Sequence, residues 1–150
     1  MATNHLHERW AARAEAGLTE AGYRRGGARA EVIALLDEQN CALSAIEIEA
    51  RLREGSGRPV ARASVYRILE QLEDLALVTR VEVGQGLARF EAARDDHHHH
   101  HMVCDRCGRM QPFANEPLEQ AIGAVASEVD FDVTRHDVVL HGVCGACRAA

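Results

Sequence analysis

Two Cys-x-x-Cys pairs, Cys104 with Cys107 and Cys144 with Cys147, constrain this chain more than any other feature. Pairs of this form a few tens of residues apart supply four thiolates, the ligand set of a closed, tetrahedral structural zinc site. In a reducing compartment such cysteines serve metal more readily than disulfides. The sequence holds no secretory leader and no apolar run long enough to span a bilayer, so a cytoplasmic protein without a membrane partner is expected. With 150 residues and 4% aromatic content the core is modest, and metal would help to hold the smaller part together.

Five histidines, His97 to His101, run directly into the first pair. The run is internal and continues as Met102-Val103-Cys104, which an appended tag would not do. Side chains of an extended strand alternate between its faces, so His98 and His100 point one way and His97, His99 and His101 the other. One strand can then feed two metal sites, one on each face.

The chain upstream reads as helices followed by a hairpin. Leu6, Trp10, Ala14 and Leu18 recur at helical spacing between His5 and Glu20, and the glycines from Gly22 to Gly27 end the pattern. Val32, Ile33, Leu35 and Leu36 mark a second helix from Ala28 to about Asn40. Ser44 and Glu47 have the form of a capping box that opens a third, to about Arg53. Val65, Ile68, Leu69, Leu72 and Leu75 form the apolar stripe of a fourth. Val78 to Val83 and Leu87 to Ala92 flank Gly84-Gln85-Gly86 as a hairpin.

That order is the order of a winged helix, in which the last helix enters the major groove. Arg51, Arg53, Arg58, Arg62 and Arg67 face a single acid, Glu54, over this stretch, and Arg62, Ser64, Tyr66 and Arg67 lie off the apolar stripe. The cluster points to DNA. The formal net charge of −6 does not contradict this, because residues 1–94 hold 13 arginines against 14 acids while residues 95–150 hold 4 against 9.

Arg94-Asp95-Asp96 reads as a connection between domains. Beyond it, Met110 to Phe113 predicts a strand, and Asn115 with Glu116 and Pro117 predicts a helix start. That helix would turn Leu118, Ile122, Val125 and Val129 inward. Phe131 to Val143 alternates as a final strand and places His136 on its inner face. The expected fold class is α+β: a winged-helix DNA-binding domain over residues 1–94, then a small α/β zinc-binding dimerisation domain over residues 95–150.

Nearly all of the chain resembles the ferric uptake regulator family of metal-responsive bacterial repressors. The resemblance is carried by Tyr23 to Arg29, by Ser64-Val65-Tyr66-Arg67, by the histidine run with Cys104-x-x-Cys107-Gly108, and by Leu140-His141-Gly142-Val143-Cys144-x-x-Cys147. It implies a homodimer that binds palindromic operator DNA; Arg24, Arg29, Arg62, Ser64, Tyr66 and Arg67 are the residues expected at the DNA. It implies structural Zn2+ on the four cysteines and a second regulatory divalent ion, Zn2+, Fe2+, Mn2+ or Ni2+. His98 and His100 would join Glu119 and His136 in one site; His99 and His101 would serve the sensing site with Glu91, or with Asp95 or Asp96 in its place, and Cys41 is either a further ligand there or a small buried residue. Here the chain departs from its relatives, because Cys41 stands near where some of them place a histidine.

Two other readings belong to different classes. A hydrolytic zinc enzyme would carry His-Glu-x-x-His or a nucleophile beside a histidine base, and this chain has neither, so no enzyme and no small-molecule substrate are expected. A cytoplasmic metal buffer or chaperone explains the histidines and leaves the winged-helix half without a role. A repressor that senses peroxide instead of metal is the remaining alternative.

Overall fold

The computed structural model describes residues 4–56, 59–84, 86–94 and 98–150, with side chains from Trp10 onward apart from that of Ser56. Arg58, Gln85, Asp95, Asp96 and His97, and the side chains of His5, Leu6 and His7, lie outside the described residues. The chain divides into two compact units, Met1–Asp95 and Asp96–Ala150.

The first unit holds α1 (Asn4–Glu20), α2 (Gly27–Glu38), α3 (Ala45–Ser56), α4 (Arg62–Asp74), β1 (Val78–Glu82) and β2 (Ala88–Ala92). Its core is built from the residues whose spacing marks the helices: Trp10, Ala14 and Leu18 of α1, Val32, Ile33 and Leu36 of α2, Ile48 and Leu52 of α3, and Val65, Ile68, Leu69 and Leu72 of α4. Trp10 Nε1 donates to the Leu77 carbonyl at 2.8 Å, so the largest core side chain is also satisfied as a donor. The capping box forms: Glu47 N–H donates to Ser44 Oγ at 3.2 Å and Ser44 N–H to Glu47 Oε2 at 2.8 Å. The helix α4 ends with Ala76 at φ 53°, a left-handed turn in which Leu77 N–H reaches back to the Leu72 carbonyl at 2.8 Å.

β1 and β2 pair antiparallel, Val78 opposite Ala92 and Glu82 opposite Ala88. Gly84 and Gly86 flank the tip at φ 86° and 71°, where a side chain would be strained. A third line of pairing is absent from the sequence pattern. Leu43 and Phe90 exchange backbone hydrogen bonds at 2.9 and 2.8 Å, so the residue before the α3 cap joins the wing.

The second unit holds β3 (His100–Cys104), β4 (Met110–Phe113), α5 (Glu116–Glu128), β5 (Val139–Gly142) and α6 (Gly145–Ala149). The sheet order is β4-β3-β5, with β4 antiparallel and β5 parallel to β3. The parallel pairing needs a crossover, and α5 supplies it. Asn115 caps α5, its Oδ1 accepting from Leu118 N–H at 2.9 Å.

Two expectations change. The last strand covers Val139–Gly142 only, because residues 131–138 follow a helix stop at Asp130, φ 51°, and run without regular pairing. The apolar stripe of α5 does not enter a core: Val125 is 60% exposed and Val129 67%, with Leu118 and Ile122 half-buried. Three short strands offer too little surface to cover it.

Candidate metal centres and nucleic-acid face

The two cysteine pairs sit at the ends of neighbouring parallel strands, the first beginning at the last residue of β3 and the second after β5. After Cys104-x-x-Cys107 the chain turns at Gly108, φ 72°; Gly108 N–H donates to the Cys104 carbonyl at 2.8 Å and Cys104 N–H to that of Arg109 at 2.9 Å. One sulfur from each of the four cysteines lies within 4.8 Å of the others. Metal–sulfur bonds of about 2.3 Å in a tetrahedron put sulfurs about 3.8 Å apart, and Cys107 Sγ and Cys144 Sγ stand at 3.8 Å. The donors therefore fit a tetrahedral thiophilic ion.

Their proton affinities agree with that fit. The Cys144 N–H, at 3.3 Å, and then the Cys107 N–H point at Cys104 Sγ and bring its pKa down to about 6. Hydrogen bonds with Cys144 and then Cys107 push the Cys147 thiol up to about 12. One thiolate is stabilised by amides; four together need a cation.

The second centre draws on three elements. His98 and His100, two positions apart where β3 begins, emerge on the same side, while Glu119 comes from the first turn of α5 and His136 from the segment before β5. His100 Nε2 lies 2.6 Å from Glu119 Oε1, His136 Nε2 2.9 Å from Glu119 Oε2, and His98 Nε2 3.0 Å from His136 Nε2. Burial would raise the Glu119 pKa, but hydrogen bonds from His100 and His136 and the charge of His98 outweigh it, and the carboxyl is held below its ordinary range. Val138 N–H donates to His100 Nδ1 at 3.3 Å, which leaves Nε2 as the proton-bearing nitrogen facing Glu119. Three imidazoles and a carboxylate closing on one point form a nitrogen- and oxygen-rich set that suits zinc, iron, manganese or nickel.

The same alternation sends His99 and His101 to the opposite side, their ring centroids 4.9 Å apart. In the first unit Cys41 is half-buried, and its pKa is raised by desolvation and then by the charge of Glu91, so these two share one neighbourhood. The four residues expected at the sensing site thus form a histidine pair in one unit and a thiol–carboxylate pair in the other.

On α4, Val65, Ile68, Leu69 and Leu72 face the core; Tyr66, 45% exposed, and Arg67 face solvent, with Ser64 half-buried. Arg62 Nε donates to Glu49 Oε2 at 2.6 Å, and Arg53 donates to the other oxygen at 2.8 Å. Arg24 is exposed in the loop between α1 and α2. Arg29 is the exception. It is 3% exposed, and its guanidinium is consumed by Glu15, Thr19 and the carbonyls of Tyr23 and Arg24, so no donor is left for a phosphate.

A model of the family described as the ferric uptake regulator family matches residues 20–141. The chain belongs to it. The ferric uptake regulation protein of Legionella pneumophila is 36% identical over 132 residues, which cover 87% of this chain and 96% of that protein. The solved ferric uptake regulator of Vibrio cholerae, described for a rearrangement of its DNA-binding domains, is 32% identical with a TM-score of 0.76, covering 85% of this chain and 96% of its own. That of Helicobacter pylori, described as having three functional metal-binding sites, has a TM-score of 0.83 at 26% identity and covers 99% and 97%.

Within this ferric uptake regulator fold, three residues that sequence reasoning passed over hold arginines expected at the DNA or beside them. Glu49 takes two arginines at once; its spacing of four from Arg53 was a legible hint, its reach to Arg62 was not. Glu15 and Thr19 hold Arg29 from a helix turn with no motif to mark them.

Proposed function

We propose that this family member is a metal-dependent transcriptional repressor that binds palindromic operator DNA as a homodimer and controls metal homeostasis or a metal-linked stress response. The observation that carries the reading is the convergence of His98, His100, Glu119 and His136 from three separate elements of the second unit, in a chain whose first unit offers Tyr66 and Arg67 of α4 to solvent. A bound dication supplies a positive centre that several ligands can share.

The chain's own residues supply the rest. Cys104, Cys107, Cys144 and Cys147 fasten the ends of β3 and β5, holding structural zinc. His98, His100, Glu119 and His136 tie α5 and the segment before β5 to the sheet. Glu91, His99, His101 and Cys41 are the sensing set, contributed by both halves of the chain, and regulation is a shift in population toward the arrangement in which they share an ion. Tyr66 reaches a base edge or thymine methyl; Arg67, Arg62 and Arg24 meet phosphate or base. A dimer reads half-sites about 34–36 Å apart. The outward apolar surface of Val125, Val129 and Phe131 supports a second copy as its cover.

The test is operator binding by chelator-treated protein titrated with manganese, zinc, nickel and iron. One or more of these should raise affinity steeply. Duplex binding that no metal alters, or no duplex binding at all, overturns the reading.

A further inference from the structure

The loop between α1 and α2 carries two exposed cations, Arg24 and Arg25; Arg25 Nε donates to Thr19 Oγ1 at 3.4 Å, and no carboxylate pairs with either among the described residues. A short loop with glycines at positions 22, 26 and 27 would ordinarily let such side chains wander. Here the backbone is fastened from both sides. From α1, Tyr23 N–H reaches the Leu18 carbonyl at 2.9 Å and Gly22 N–H that of Thr19 at 3.0 Å. From α2, Arg29 reaches back under the loop: Nη1 donates to the carbonyls of Tyr23 at 3.0 Å and Arg24 at 3.3 Å. Its Nε and Nη2 anchor it on Glu15 Oε2 at 3.0 and 2.6 Å, and Nη2 also meets the Glu15 carbonyl and Thr19 Oγ1, both at 2.8 Å.

Every N–H of the guanidinium has an acceptor, and the side chain is 4% exposed. A planar fork is needed for this, because lysine offers a single compact head and cannot span the Glu15 carboxylate and two successive carbonyls together. The clamp holds the carbonyls on either side of the Arg24 Cα, the atom from which its side chain departs. We propose that Arg29 is a positioning residue for the nucleic-acid contact: buried and touching no phosphate, it fixes the backbone from which Arg24 and Arg25 reach the DNA backbone. This deepens the repressor reading and rests on it.

The test uses the full-length, metal-loaded protein and a duplex that the wild type selects from a random-sequence pool. Operator affinity is measured against salt concentration for wild type, Arg29→Lys, the double variant Arg24→Ala/Arg25→Ala, and the triple combination. Each neutralised phosphate contributes about 0.9 to the salt slope, so losing two per protomer in a dimer lowers the slope by about 3.6. Arg29→Lys keeps the net charge, yet it should weaken binding at least tenfold and lower the slope toward that of the double variant. Adding Arg29→Lys to the double variant should lower it no further.

A role confined to folding would reduce the fraction of active protein and leave the slope of the active remainder unchanged, and that result overturns the proposal. So does a double variant with the wild-type slope, which would leave the repressor reading standing; failure of the wild type to select any duplex sinks the repressor reading itself. Should Arg29→Lys not fold, Glu15→Gln weakens the anchor while keeping the fork, and a wild-type slope in that variant refutes the clamp.

Discussion

Truncating Phe131 tests whether the apolar surface of the second unit is covered by another copy. Phe131 follows the turn at Asp130 and is 68% exposed, next to Val129 at 67% and Val125 at 60%. Ala121, Ile122, Ala126 and Val133 extend the apolar groove around them, and His136 also lines it. A phenylalanine side chain carries about 200 Å², so about 140 Å² of it awaits cover, worth about 3.5 kcal/mol at about 25 cal/mol per Å². Phe131→Ala keeps the Cβ and forfeits about 2 kcal/mol of this per copy, hence about 4 kcal/mol across a two-fold interface. At about 1.4 kcal/mol per decade the dimer dissociation constant should rise about a thousandfold. Sedimentation velocity over several decades of concentration reads that shift directly. The Phe131 backbone bond to Ala126 is untouched, so the fold of the protomer should survive, which circular dichroism checks. A Phe131→Ala protein that sediments as the wild type does at every concentration would refute the assignment of this face.

Three further expectations concern the metal centres. Cys104→Ser should lose zinc and with it the folded second unit, read as zinc content and a lost thermal transition, because metal-binding energy is folding energy in so small a unit. His99→Ala should leave the dimer intact in sedimentation and abolish the metal dependence of operator binding; a dissociated dimer would mean that the two faces of the histidine run have been assigned the wrong way round. Glu119 has its folded pKa below the ordinary value of 4.5, so its contribution to the stability of metal-free protein is complete above that pH and is lost as pH falls through the depressed value. Glu119→Gln should flatten that acid limb in thermal melts from neutral pH downward; an unchanged limb would exclude the imidazole contacts as its source.

Much of the first unit was legible because its helices follow one rule each. Trp10, Ala14 and Leu18 obey the helical period and are buried; Ser44 and Glu47 cap as their spacing says; glycines stand at both ends of the wing tip where φ turns positive. The division of the histidine run was legible for a similar reason, since alternation along an extended chain is enough to separate His98 and His100 from His99 and His101 even though regular pairing starts only at His100. What escaped was decided by tertiary partners. Arg29 reads as a surface cation until Glu15 and two carbonyls surround it, and the Leu43 to Phe90 bridge joins residues with nothing between them in sequence to announce it. The α5 stripe reads as inward because periodicity reports an apolar face without saying what covers it. The alternation of Phe131 to Val143 suggested one long strand, yet only its last part has a neighbour to pair with.

Cys107 and Cys144 lie 37 positions apart, and the stretch between them contains both Glu119 and His136. Four thiolates drawn to one ion act on that stretch as a buckle acts on a belt, removing from the unfolded chain an entropy that the cross-link relation puts at about 4 kcal/mol for a loop of this size. Half of the residues proposed for the histidine-rich centre would therefore be pre-gathered whenever the cysteines are filled. Emptying the buckle should loosen its neighbour as well, so a chelator that wins the sulfur-bound ion strips the protein of both.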